Sequence, residues 1–420
     1  MARIGLLRRA GLLLGALAAL AAALAQPLPA AAATTGTLFG IVLRPIPGVA
    51  RIDPASGTTT LLADLSLPPG HPGPGFSAGL VDDPTSHRLF LVRVVLDFAV
   101  PPPNNTTSQL VTVDSRTGAM TVQTLSQGLA GLAFDPSTGT LFGVTAGNCC
   151  PNTLPISIVK VDPSTGAETS FASVTGDAIG LMSVDPSSHS IYATSDSFAT
   201  IPNTIVILTV NTLTGAVTQS PALNPGIPSL VFDSSARALY GTTFCCPAHF
   251  ARVDPSTGAE TILGTYDFGM FLEGGRAIDA ASHTVFVVQD VFDPLNPQLG
   301  PIASIASIND QTGAGVLGQT TGTNVGGLAF EPVLITPASI QADVQKAAAD
   351  GSIKTKALAD SLLDKLARAA EVRTAGNCKA AGRIYEAFID QVTRQSGEKI
   401  VPATATQLAS EAQFLITNCP

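Results

Sequence analysis

Between residues 36 and 332 the chain runs in short apolar stretches, rich in Val, Ile, Leu, Phe and Tyr, broken by clusters of Asp, Asn, Pro, Ser, Thr and Gly. Two kinds of cluster alternate. The first comprises RIDPASG (51–57), TVDSRTG (112–118), KVDPSTG (160–166), TVNTLTG (209–215), RVDPSTG (252–258) and SINDQTG (307–313). The second comprises LVDDPTSHRLF (80–90), LAFDPSTGTLF (132–142), MSVDPSSHSIY (182–192), LVFDSSARALY (230–240) and RAIDAASHTVF (276–286). The nonapeptide VDPSTGAET recurs unchanged at 161–169 and 253–261. Asp or Asn at the head of such a cluster accepts hydrogen bonds from backbone N–H groups, Pro presets φ, and Gly at the end tolerates a left-handed backbone. With β-branched and aromatic flanks, each cluster predicts a tight hairpin turn, and its Asp belongs to the turn rather than to calcium or catalysis. The first kind is termed the outer turn and the second the inner turn.

One inner and one outer hairpin make four strands. The inner-turn residues Asp83, Asp135, Asp185, Asp233 and Asp279 are 52, 50, 48 and 46 residues apart. Four short strands at that period are the mark of β-propeller blades. The ends complete the count: GGLAFEP (326–332) is the first half of an inner hairpin, and TGTLFG (35–40) is its second half. Joined, they predict a ring of six blades, the first holding 37–65 and borrowing its innermost strand from 326–331. Closure removes sheet edges that otherwise pair with other chains. His87, His189 and His283 occupy the Gly position of the inner turn in the even blades, whereas Gly36, Gly139 and Arg237 stand there in the odd ones. This alternation reads as a two-blade unit repeated three times.

After Pro332 the period changes to that of helices. Thr336 caps and Pro337 opens the first. Leu358, Leu362, Leu366 and Ala369, then Ala381, Tyr385, Phe388 and Val392, then Leu408, Ala412, Leu415 and Cys419 each share one helical face. Cys378 opens the third helix and Cys419 closes the fourth, so in an antiparallel hairpin the two are placed to form a disulfide. The expected domains are a signal peptide (1–33), a six-bladed all-β propeller (34–335) and a small all-α domain (336–420).

Composition sets the compartment. Arg3, Arg8 and Arg9 precede the apolar run 10–25, with small-residue exits after Ala25 and Ala33; this is the pattern of a secretory signal peptide, too short to span a membrane. The formal charge is −9, or −12 without those three arginines, and no basic run is present. Nucleic acid and anionic membranes are therefore not expected partners, and the mature chain is read as a monomer without a membrane span. Export permits disulfides. Cys149-Cys150 and Cys245-Cys246 lie in two loops, GNCCPN and TFCCPA, that follow equivalent strands. A bridge within each pair is favoured over a cross-link between loops or a four-thiolate metal site.

Both turn series lie at one end of every blade, which leaves the variable loops at the other. Loops on a rigid scaffold are where binding resides. The central mouth on that face draws on Ser77, Asp177, Glu273, Arg276 and Asn324 as ligand-binding candidates. No catalytic residue is assigned: HExxH and CxxC do not occur, and the glycine-rich strings belong to turns. The five His are not read as a metal site, since three sit in tight turns and His71 and His249 in different loops. No cofactor is expected.

The stretches SLLDKLARAA, NCKAAGRIYEAFIDQV, SGEKI and ATATQLASEAQFLI resemble the FIMAH domain, a small helical module at the C-terminal ends of many secreted bacterial proteins. The propeller resembles, more loosely, secreted bacterial propellers of the YVTN and NHL type. That resemblance implies a surface for binding rather than one chemistry. The expected function is a non-catalytic extracellular protein whose variable loops bind a protein, glycan or surface ligand. The alternative is a metal-dependent hydrolase or lyase at the channel mouth, with Asp177, Glu273 and Asn324 as metal ligands.

Overall fold

The computed structural model describes residues 36–43, 45–67, 75–76, 79–96, 106–145, 156–174, 178–197, 204–224, 226–243, 247–266, 271–291, 302–332 and 335–417. Two compact units divide at Pro332 and Val333.

The first unit is a six-bladed β-propeller. Each blade is an antiparallel sheet whose strands follow one another in the chain, except at the closure. There Val325–Pro332 pairs with Gly36–Val42, which continues to Gly48–Ile52 and Thr59–Asp64. In this composite blade Leu38 lies opposite Phe330, as Leu141 lies opposite Phe134 in the third. The second blade has its innermost strand in two pieces, Gly75–Phe76 and Val81–Asp83, both paired with Arg88–Leu96.

The turns form by the local chemistry their sequences predict. In each outer turn the leading Asp or Asn accepts from backbone N–H groups two or three residues on: Asp53 from Ala55 at 2.9 Å, Asp162 from Ser164 at 2.8 Å, Asp254 from Ser256 at 2.8 Å. All six outer turns end in a Gly with positive φ. The requirement is not only conformational. A Cβ on Gly166 (φ 73°) would stand 2.7 Å from the carbonyl oxygen of Thr124, on the outermost strand of the preceding blade. The other five turn glycines abut the preceding blade in the same way. The repeated VDPSTG is therefore both a hairpin turn and an inter-blade contact. In the inner turns the left-handed position is held by His87, His189, Arg237 and His283, with φ between 50° and 55°, and by Gly139. Gly36, its counterpart in the first blade, is not left-handed, because there the turn is replaced by two separate chain segments.

The core of this unit is a ring of six apolar seams, one between each pair of adjacent blades. A two-blade rhythm runs through them. At every even-to-odd seam a ring on the second strand of the even blade packs on a Phe of the next innermost strand. These pairs are Phe90–Phe134 at 5.8 Å between centroids, Tyr192–Phe232 at 5.8 Å and Phe286–Phe330 at 5.6 Å.

The second unit has four helices: α1 (Pro337–Ala349), α2 (Lys356–Thr374), α3 (Cys378–Gln395) and α4 (Pro402–Thr417). Thr336 caps α1, its side chain accepting from Ser339 N at 3.0 Å while Ser339 Oγ accepts from Thr336 N at 2.9 Å. The reciprocal pair satisfies two N–H groups that a helix start otherwise leaves free. Leu358, Leu362, Leu366, Tyr385, Phe388, Val392, Leu408 and Leu415 form one buried cluster, on the helical faces their spacing predicts.

Candidate functional site

Six homologous positions meet at the propeller axis. Each lies three residues before the inner-turn acid of its blade: Leu328, Leu80, Leu132, Met182, Leu230 and Arg276, in blade order. They line a cavity of about 60 Å³, room for about two water molecules. Five of the six are apolar. Arg276 is buried in the sixth, within the innermost strand Phe271–Asp279 rather than just ahead of it, and its guanidinium donates to Thr242 Oγ1.

Among the described residues the other mouth candidates are not brought together. Asn324 immediately precedes its strand, and its carbonyl accepts from Leu43 N at 3.0 Å. Glu273 falls within the innermost strand of blade 6, where the register shifts between Phe271 and Arg276. Ser77 and Asp177 lie outside the described residues, as do Cys149, Cys150, Cys245, Cys246 and Cys419. Cys378, at the start of α3, is disulfide-bonded.

The tight-turn end brings ionisable side chains of neighbouring blades together. At each odd-to-even seam three residues converge: the inner-turn acid of the odd blade, the inner-turn His of the even blade, and the residue after the outer-turn Asp or Asn of the even blade. At the first seam these are Glu331, His87 and Ser115, with His87 Nδ1 against the Glu331 carboxylate. At the second they are Asp135, His189 and Thr212. Thr212 Oγ1 donates to Asp135 Oδ2 at 2.9 Å. In both, the backbone N–H of the third residue donates to the His carbonyl, at 2.8 Å and 2.7 Å.

The third seam keeps this frame, with Asp310 N donating to His283 O at 3.0 Å, but its third residue is a carboxylate. His283 Nδ1 stands 3.5 Å from Asp233 Oδ2 and 3.4 Å from Asp310 Oδ1. Ser235 Oγ is a further 3.4 Å neighbour of Nδ1. The Asp233 and Asp310 side chains are 0% exposed and His283 is 31% exposed, so the cluster opens to solvent only past the imidazole. Burial and the adjoining Asp233 carboxylate push Asp310 up to about 8. Burial opposes ionisation of Asp233 too, yet hydrogen bonds from Asp310 and Ser235 hold it below the ordinary carboxylate range. One trace of this site is in the sequence. Among the outer turns only SINDQTG has an acid directly after the leading Asp or Asn; the others have Pro, Ser or Thr there.

Among the described residues no helix is long and apolar enough to cross a membrane. No curated protein matches the chain. The structure is similar to TolB from Acinetobacter baumannii, with a TM-score of 0.50 and 13% identity over 71% of this chain and 67% of that one. It is also similar to a chain of a nidogen/laminin complex, with a TM-score of 0.52 and 11% identity over 70% of this chain and 98% of that one. At such identities the likeness is one of fold. Residues 337–417 match the FIMAH domain family. The chain is thus a six-bladed β-propeller followed by a FIMAH domain.

Proposed function

We propose that this is an exported, non-catalytic binding protein, which engages an extracellular protein, glycan or surface ligand through the loop face of its propeller. The observation that carries this reading is the filled axis. Pockets that hold small-molecule substrates measure about 300–1,000 Å³, whereas the layer of Leu328, Leu80, Leu132, Met182, Leu230 and Arg276 leaves about 60 Å³. Among the described residues this layer, five of its six side chains apolar, serves as a scaffold, and recognition then falls to the loops around it. The segments GNCCPN and TFCCPA, each stiffened by a bridge between its adjacent cysteines, are the loops assigned to contact. The signal-like start, cleaved after Ala25 or Ala33, and a Cys378–Cys419 disulfide fit an oxidising compartment. The FIMAH domain acts as an accessory contact module.

The test is an array of cell-wall polysaccharides and extracellular proteins, probed with the purified protein and with a variant whose residues 146–155 and 244–248 are replaced by Gly-Ser segments. Binding that the variant loses, at unchanged circular dichroism, supports the reading. Unchanged binding by the variant, or turnover of ester or lactone substrates by the wild type, overturns it.

A further inference from the structure

The third odd-to-even seam places two buried carboxylates and an imidazole around one point, and leaves them without the partners that their counterparts have. Asp310 is 1% exposed, and beyond their contact with each other its two carboxylate oxygens and Asp233 Oδ2 find no hydrogen-bond partner. At the second seam the equivalent oxygen, Asp135 Oδ2, is satisfied by the Thr212 hydroxyl. Two carboxylates facing each other out of water repel and lose their hydration, so an arrangement of this kind calls for a cation or a shared proton between them.

The distances around the imidazole fit a cation. His283 Nδ1 is 3.4–3.5 Å from Asp310 Oδ1, Asp233 Oδ2 and Ser235 Oγ. That is long for a hydrogen bond to any one of them. Ligands about 2.0–2.2 Å from a tetrahedral zinc ion stand about 3.3–3.6 Å from one another. The three ligand atoms of Asp233, His283 and Asp310 lie within 4.8 Å of each other, so small side-chain shifts bring all three onto one ion. Imidazole with carboxylates is a ligand set suited to divalent transition metals, and zinc binds such sets tightly. The partly exposed side of His283 leaves a fourth position for water.

We infer that Asp233, His283 and Asp310 form a zinc-binding site at the seam between blades 5 and 6, on the tight-turn face. Asp233 comes from blade 5 and the other two from blade 6, so the ion ties the two blades together. The site stands on the face opposite the proposed binding loops and does not depend on that reading.

The experiment compares the EDTA-stripped wild type with two variants. Asp310→Thr converts the seam to the form that blades 3 and 4 already use. His283→Asn removes the nitrogen ligand with a residue that tolerates the left-handed backbone. Zinc is titrated by calorimetry, cobalt(II) is added as a spectroscopic probe, and thermal unfolding is followed with and without zinc. The wild type should bind one equivalent of zinc more than either variant. It should show the intense visible bands of tetrahedral cobalt(II), and zinc should raise its unfolding temperature but not theirs. Equal stoichiometry in all three proteins assigns the ion to another site and overturns the inference. No uptake by the wild type means that the two carboxylates share a proton instead, and overturns it equally. If Asp310→Thr does not fold, the His283→Asn comparison decides alone.

Discussion

Phe286 stacks on Phe330 with ring centroids 5.6 Å apart, across the seam where the last blade meets the first. Phe330 belongs to the strand from the end of the propeller that completes the sheet begun by Gly36–Val42. Its counterparts at the other two even-to-odd seams are Phe134 and Phe232. The three contacts are equivalent in geometry, but only one of them holds the ring shut.

Removing these rings should cost alike if closure is as firm as the interior. Phe330→Ala and Phe134→Ala are each expected to destabilise the propeller by about 3–5 kcal/mol, the usual cost of emptying a buried aromatic site. Urea unfolding checks this. A much smaller loss at Phe330 would mean that the closing blade is already open in solution.

The outer turns separate two effects of glycine. Gly166→Ala must strain a left-handed backbone and push its Cβ against the Thr124 carbonyl, whereas Gly139 (φ 64°) has open space around it. Gly139→Ala is expected to cost about 1 kcal/mol, the left-handed penalty alone. Gly166→Ala should cost clearly more and loosen the seam between blades 2 and 3. Equal losses in denaturant unfolding would show that the inter-blade contact is slack.

Asp82 makes the propeller sensitive to pH. Burial, with the Glu331 and Asp83 carboxylates nearby, pushes it up to about 7. The residue as a whole is partly exposed, but its carboxyl group is buried. The folded state therefore keeps a proton that the unfolded chain releases near pH 4. This contribution to stability is full below that point, falls as pH rises, and is gone above about 7. The slope is at most about 1.4 kcal/mol per pH unit. Urea midpoints measured from pH 4 to 8 should show this fall in the wild type and a shallower one in Asp82→Asn. Parallel curves for the two proteins would remove Asp82 as the cause.

The helical unit depends on a staple if Cys378 pairs with Cys419. A loop of about 40 residues predicts that Cys378→Ser lowers the stability of this unit by about 3–4 kcal/mol in the chain-entropy model. Reductant should produce the same loss in the wild type and none in the variant. A second loss on reduction of the variant would assign the effect to other cysteines.

What the sequence by itself determined is what short-range chemistry governs. Each outer turn is specified within six residues by an Asx side chain and a terminal Gly, with a φ-restricting Pro in three of the six. The helical faces Leu358–Leu362–Leu366 and Tyr385–Phe388–Val392 follow from spacing alone. Blade number and closure were legible because the two half-hairpins at 35–40 and 326–332 are covalently distant copies of one unbroken motif. Only the tertiary structure decided what the blades bring together. Leu80, Leu132, Met182, Leu230, Arg276 and Leu328 become one layer because six radial sheets point the same position at one axis. Asp233, His283 and Asp310 each look like an ordinary turn residue in its own segment, and their meeting is set by the angle between neighbouring blades. Local hydrogen bonds fix the turn, but the packing of one sheet on the next fixes which turns touch, and no window of sequence contains that angle.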